Sequence, residues 1–206
     1  MYTPAHFEET CPDKIAALIE SAPLGCIVAQ TEQGLIANHI PLFISRETTL
    51  IGHLALANDM HRLIDGGQEV LVIFKGEDAY VSPNFYPTKQ ENPRHAPTWN
   101  YQVVHVYGNI TFQHTRRAKL AAVGLLTRKH ERQLNGVNAW KMSDAPADYN
   151  DQMLARIVAF RIEISRVIAK SKLSQNREAR DYVGVIDGLR ANGQNAMADK
   201  MADYVS

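Results

Sequence analysis

Apolar residues recur at Ile15, Leu18, Ile19 and Ala22, the spacing of one helical face, directly after Pro12 and Asp13. Proline is tolerated in the first turn of a helix, and Pro23 cannot continue one, so the pattern predicts a helix that opens at Pro12 and stops before Pro23. The period then shortens. LGCIVAQ (24–30), LIANHIPLFI (35–44) and TLIGHLALA (49–57) are β-rich runs separated by the polar turns TEQG and SRET, which predicts three sequential antiparallel strands. NDMHRLIDGG (58–67) opens on Asn and closes on two glycines, the punctuation of a short helix. EVLVIFKG and DAYVSP read as two further strands joined at Gly76. NYQVVHVYGNITFQ (100–113) reads as a long strand or bent ribbon in which Gly108 permits a bulge. In RIVAFRIEISRVIAKS (156–171), charged Arg161, Glu163 and Arg166 alternate with Phe160, Ile162 and Ile164, again the period of a strand.

Helices interrupt and follow these strands. Leu120, Val123 and Leu126 form an apolar stripe beside clustered bases in 115–134. Two helical stretches, about 176–190 and 194–204, part near Asn192-Gly193, and Met197, Met201 and Tyr204 fall on one face of the second, as docking on the barrel or on a partner requires. NGVNAWKMSDAPADYN (135–150) reads as a loop. PNFYPTKQENPRHAP (83–97), with its four prolines, reads as a long ordered loop or a flap. Six or seven strands joined mostly by short turns, without βαβ alternation, predict an α+β fold that is mainly β: an antiparallel barrel decorated with helices. The 206 residues fit a single domain, with 176–206 as a helical extension at its C-terminal end.

Composition narrows the function classes. Basic and acidic side chains balance at 22 each, which speaks against a uniformly positive surface that binds DNA without sequence preference. No stretch approaches the ~20 apolar residues of a membrane helix, and the N-terminus lacks the basic start and apolar run of a secretory signal, so the expected location is cytoplasmic. Cys11 and Cys26 are too few for a metal quartet and are expected as plain thiols, Cys26 within an apolar strand. No dinucleotide, nucleotide-triphosphate, zinc-peptidase or G-x-S-x-G hydrolase signature occurs, and no metal site is expected.

Polar residues interrupt the apolar β-segments in three places: Asn38-His39, His53 with Asn58, and Thr98-Trp99-Asn100. Taken singly, His39 and His53 also read as solvent-facing strand residues, His105 as a half-exposed one, and Trp99 as core packing. A fourth cluster, KSKLSQNR (170–177), admits two readings. Ser174, Gln175 and Asn176 resemble a helix cap, yet a cap needs no crowd of Lys170, Lys172 and Arg177, whereas cations, a hydroxyl and amides together suit a phosphate or carboxylate.

GHLALAN, VLVIFKGEDAYVSPNFYPTK, PTWNYQVVHVYG, the HE at 130–131 and KLSQNR followed by GVIDGL resemble, in that order, the PaiB-like FMN-binding negative transcriptional regulators, and the resemblance runs along essentially the whole chain. It implies the FMN-binding split barrel shared with pyridoxamine-phosphate oxidases, usually a homodimer with flavin at the subunit interface. FMN joins a dianionic phosphate to a polar chain and a flat ring, so its site must mix cations, small donors and aromatic or apolar surface. On this resemblance His39, His53 and Asn58 would lie on strands of one barrel wall. Thr98, Trp99 and Asn100 would border the ring, and Lys172, Ser174, Gln175 and Arg177 would close the site. Leu56 departs from the family pattern, which has Arg in HLARAN; Arg62, Lys75 and Lys89 are the basic residues available to compensate.

The implied function is that of a negative transcriptional regulator or flavin-dependent sensor. The alternative is a flavin- or haem-dependent oxidoreductase, haem being the minority cofactor, for which eight histidines offer axial ligands without one standing out. For DNA as a partner, Arg116, Arg117, Lys119, Arg128, Lys129 and Arg132 give the 115–134 helix a basic face, although solvated helix surface explains it equally and no recognition helix is identifiable.

Overall fold

A computed structural model of the chain describes residues 1–45 and 48–205, apart from the side chain of Val205. The turn expected at SRET includes Arg46 and Glu47, which lie outside the described residues. In chain order the described strands are β1 (Glu8–Glu9), β2 (Leu24–Thr31), β3 (Gly34–Pro41), β4 (Phe43–Ser45), β5 (Thr49–Ala55), β6 (Glu69–Val81), β7 (Thr98–Gln113) and β8 (Ile157–Lys172). The α-helices are α1 (Pro12–Ser21), α2 (Met60–Leu63), α3 (Arg116–Asn135), α4 (Ala147–Ala155), α5 (Ala179–Ala191) and α6 (Asn195–Val205). The strands form an antiparallel sheet in the order β3-β2-β6-β7-β8-β5-β4, with β1 added on β8.

The chain divides into two compact units, and β6, β7 and β8 run from one into the other. The barrel unit comprises Ile19–Phe74 and His105–Val167. Its sheet order ends in β3 on one side and β4 on the other, and these two strands are separated in the chain by Leu42 alone. A sheet whose outer strands meet across one residue must roll up on itself. Leu42 is buried, and the backbone makes room for it at two glycines: a Cβ on Gly25 would lie 2.8 Å from Leu42 Cδ1, and one on Gly52 2.9 Å from Leu42 Cδ2. Around it Ile27, Leu50, Val72, Phe74, Val106, Ile110 and Phe160 are fully buried and fill the interior.

The terminal unit comprises Met1–Leu18, Lys75–Val104 and Ile168–Ser206. Its core joins Ala79 and Val81 of β6, Tyr86 and Leu173 to Val185 and Leu189 of α5 and Met197, Ala198 and Met201 of α6. The methionine face of the last helix is therefore core, the first of the two placements its spacing allows. The proline-rich segment 83–97 is ordered here: two 3-10 turns, Pro83–Phe85 and Pro87–Gln90, seat it on α5. Gly184 and Gly188 of α5 provide the seat, because a Cβ would meet Phe85 O at 2.3 Å at the first and the Phe85 ring at 2.4 Å at the second. Thr88 donates N–H and Oγ1–H to the two carboxylate oxygens of buried Asp181, at 3.1 and 2.8 Å.

Several expectations are corrected. The three sequential strands are not a meander: LIANHIPLFI breaks at Leu42 into β3 and β4, β3 pairs with β2, and β5 pairs with β4 and with β8, Gly52 opposite Phe160. EVLVIFKG and DAYVSP are one strand, β6. Gly76 lies inside it and admits the Leu18 side chain, whose Cδ1 would lie 2.5 Å from an added Cβ. The last part of NGVNAWKMSDAPADYN begins α4. Gly108 serves close approach to β8, the Glu163 carbonyl lying 2.4 Å from where a Cβ would stand. Cys11 and Cys26 are free thiols, both half-buried, and among the described residues no group of histidine, cysteine or carboxylate side chains has metal-site geometry.

Candidate functional site

In the terminal unit the end of β8 carries the densest functional chemistry. Alternation along the strand puts Lys170 and Lys172 on one face. The Lys172 ammonium donates to Thr98 Oγ1 and to the Trp99 carbonyl, both at 2.5 Å. Lys170 is buried, donates to the Tyr2 carbonyl at 3.3 Å and lies 5.1 Å from the Tyr101 ring centre, while the Phe7 ring lies within 6.0 Å of both ammonium groups. Arg177 stacks over the Tyr86 ring at 4.7 Å. Burial, together with the charges of Lys170 and Arg177, holds the Lys172 pKa below the ordinary lysine value. Among the described residues no carboxylate stands within ion-pair distance of these three cations.

The turn that follows is held by its own side chains. Ser174 sits at φ 64°, in the left-handed region where a non-glycine residue is strained. Gln175 clamps it, its Oε1 accepting from Leu173 N at 2.7 Å and its Nε2 donating to Ser171 O at 2.5 Å. Ser174 Oγ donates to Asn100 Oδ1 at 3.1 Å, and Asn100 Nδ2 points at Met201 Sδ at 3.4 Å, so both residues are buried with their polar atoms engaged. The capping reading of this segment does not hold: α5 starts later, its N-cap is Glu178, and no side chain caps it. Trp99 is not core, since 54% of it is exposed, and its indole meets Tyr80 edge to face at 6.0 Å.

The structure thus gathers Thr98, Trp99, Asn100, Lys172, Ser174 and Gln175, with Arg177 after them, around the end of β8. Sequence reading counted Lys170 in the cationic run KSKLSQNR but not among the residues that close the site, and it left Phe7, Tyr86 and Tyr101 out altogether. Only Lys170, two positions before Lys172 on the alternating strand, carries a local signal that would have added it to them.

His39, His53 and Asn58 belong to the barrel unit. Asn58 is not on a strand. It follows β5, accepts from Met60 N at 3.0 Å and donates to Asn38 Oδ1 at 2.9 Å, tying β3 to the start of α2. His39 is an exposed residue of β3 opposite Cys26. His53 lies opposite Ala159 and lines a cavity of about 240 Å³ with Trp140, Met142, Tyr149 and Met153. Its Nδ1 is buried with no hydrogen-bond partner, and burial lowers its pKa below the ordinary histidine value. His105 is half-buried and shares both features.

Several of the other basic residues are paired locally. Arg62 pairs with Asp59 at 2.9 Å, Lys75 with Asp78, and Lys89 donates to Asn84 Oδ1, so all three candidates for replacing an arginine at Leu56 are engaged locally. On α3, Arg116 pairs with Asp151 at 2.6 Å and Lys129 with Glu20 at 3.7 Å. The expected basic face of that helix is thereby interrupted.

A rolled antiparallel sheet with helices between and after its strands, and a cationic, aromatic cluster at a strand end, define a split barrel of the flavin-binding kind. The chain belongs to the family described as "Putative FMN-binding domain", which it matches over residues 1–166. It is 34% identical, over all of its own length and 96% of the relative's, to "Protease synthase and sporulation protein PAI 2" of Bacillus subtilis. Two solved structures have the same fold. One is the conserved hypothetical protein Rv2991 from Mycobacterium tuberculosis, at 11% identity over 86% of this chain and 94% of that one, with a TM-score of 0.62. The other is the FAD and heme binding protein from Mycobacterium smegmatis, at 15% identity over 85% and 78%, with a TM-score of 0.59. Among the described residues no helix is long and apolar enough to cross a membrane.

Proposed function

We propose that this chain is a cytoplasmic, homodimeric FMN-binding regulator that uses the cluster at the end of β8 to hold the anionic part of the cofactor. The observation that carries this reading is the uncompensated charge of Lys170, Lys172 and Arg177: burial and its two cationic neighbours hold the Lys172 pKa down, and an arriving dianion would stabilise the cluster. The donor set fits a phosphate. Lys172 spends two of its three protons on Thr98 and the Trp99 carbonyl, which fixes the ammonium and leaves one N–H for a ligand. Arg177, steadied on Tyr86, offers a planar fork, and the exposed Trp99 indole with Tyr80 offers a face for a flat ring. Asn100, Ser174 and Gln175 act one step back, holding the strand end and the strained turn in place. In the barrel unit, His39 and His53 are the polar groups we assign to the barrel wall, with Asn58 beside it on Asn38 of β3. Bound FMN would supply reversible redox chemistry and a visible absorbance.

The Bacillus relative is named for protease synthesis and sporulation, which supports control of gene expression over metabolism as the role. The oxidoreductase reading draws no separate support.

The deciding experiment is an absorbance titration of the purified protein with FMN. A shifted, saturable flavin spectrum is expected, with Lys172→Met weakening binding roughly ten- to a hundredfold, as loss of a charge-assisted hydrogen bond implies. An unshifted spectrum at saturating FMN would refute the reading.

A further inference from the structure

We infer that the barrel unit carries a second ligand site, for a small organic anion with an aromatic body, in the cavity between α3 and the 136–144 segment. The cavity measures about 350 Å³, at the small end of the range for ligand sites. One face of α3 makes its floor, because Leu120, Gly124, Arg128 and Arg132 follow one another at four-residue steps. Trp140 and Met142 face them across the space.

The opposite wall is a built structure. Glu131 Oε2 accepts both the Trp140 N–H at 2.9 Å and Asn135 Nδ2 at 2.8 Å, which spends that carboxylate on the loop and keeps its pKa below the ordinary value. Asn150 Nδ2 donates to the Met142 carbonyl at 2.8 Å, and Asp144 Oδ2 accepts the Lys141 N–H at 2.9 Å. Trp140 is therefore held at the rim by its own backbone, with its indole available for stacking.

Charge specifies the ligand. Arg116 and Lys129 of the same helix have carboxylate partners, whereas among the described residues Arg128, Arg132 and Lys141, all on the cavity lining, have no side-chain hydrogen bond or ion pair. Two guanidinium forks one helical turn apart suit a carboxylate or sulfonate, and the hydroxyls of Thr127 and Ser143 stand on the same lining. Gly124 is the second, independent observation. A glycine inside a helix costs about 1 kcal/mol relative to alanine, and this one is not demanded by packing, because its nearest neighbour would lie 3.9 Å from an added Cβ, at Met142 Sδ. What the missing side chain preserves is the open floor.

Calorimetric titration of the full chain with naphthalene-2-carboxylate tests this. One site per chain is expected, with at least tenfold weaker binding of the uncharged naphthalene-2-carboxamide, and at least tenfold weaker carboxylate binding by Arg128→Ala/Arg132→Ala and by Gly124→Leu, each first checked for native circular dichroism. Absence of binding by the wild type overturns the proposal, and so does equal affinity for carboxylate and carboxamide. The carboxamide comparison needs no substitution, so it decides even if a variant fails to fold.

Discussion

His53 places a ring nitrogen in a buried position with no hydrogen-bond partner, and burial of its ring is expected to make folding sensitive to acid. Its folded-state pKa lies below the ordinary value of 6.5, so the unfolded chain takes up the proton first as pH falls. The stability it lends is whole above that value and shrinks as pH drops through the depressed one. Denaturant unfolding at pH 7.5 and 5.5 is expected to show lower stability at the acid value, and a smaller difference in His53→Gln. A pH dependence unchanged by the substitution would exonerate His53; His105, shifted in the same direction, supplies the remainder. Gly52 tests packing at the same scale. Gly52→Ala would set a methyl 2.6 Å from Phe160 Cζ and 2.9 Å from Leu42 Cδ2, and is expected to cost about 1–3 kcal/mol of stability in a denaturant titration.

Among the elements, α3 and α5 show how one substitution changes sign with its surroundings. Gly124 of α3 has room for a methyl, its nearest neighbour Met142 Sδ standing 3.9 Å from an added Cβ, so Gly124→Ala gains helix propensity and is expected to raise unfolding stability by roughly 0.5–1 kcal/mol. Gly188 of α5 lies under the Phe85 ring, so Gly188→Ala must displace that ring and is expected to lower stability by about 1–3 kcal/mol despite the same gain in propensity. Thermal unfolding of the two variants side by side measures the contrast. Both glycines look alike in a helical pattern. Only the neighbour distinguishes them.

At the scale of the whole molecule, cofactor binding and stability are linked. A ligand that binds the folded chain alone adds about 2.7 kcal/mol at a hundred times its dissociation constant, so FMN is expected to raise the melting temperature, and to do so less in Lys172→Met. Light scattering of the eluting protein is expected to give twice the 23.1 kDa chain mass; a monomer would refute the homodimer proposed here.

Local signals were enough for the elements themselves. Pro12 and Pro23 bracket α1, alternation marks β2 and β8, and the apolar stripe marks α3, because proline geometry and side-chain periodicity act over a few residues. The run KSKLSQNR was legible as an anion-seeking cluster because its cations and amides are adjacent in the chain. Pairing was not legible. That TLIGHLALA lies beside a strand more than a hundred residues later, as well as beside its chain neighbour, depends on which apolar faces meet, and the closure at Leu42 depends on space left by Gly25 and Gly52. Tertiary structure likewise brought Phe7 and Tyr101 to the pair of Lys170 and Lys172 and Tyr86 to Arg177, and placed His53 and Asn58 in the barrel unit. Sequence determined which residues form strands, helices and charged clusters, since those preferences are local. Only the folded chain decided which of them meet, since burial rewards contacts between surfaces that no short stretch contains.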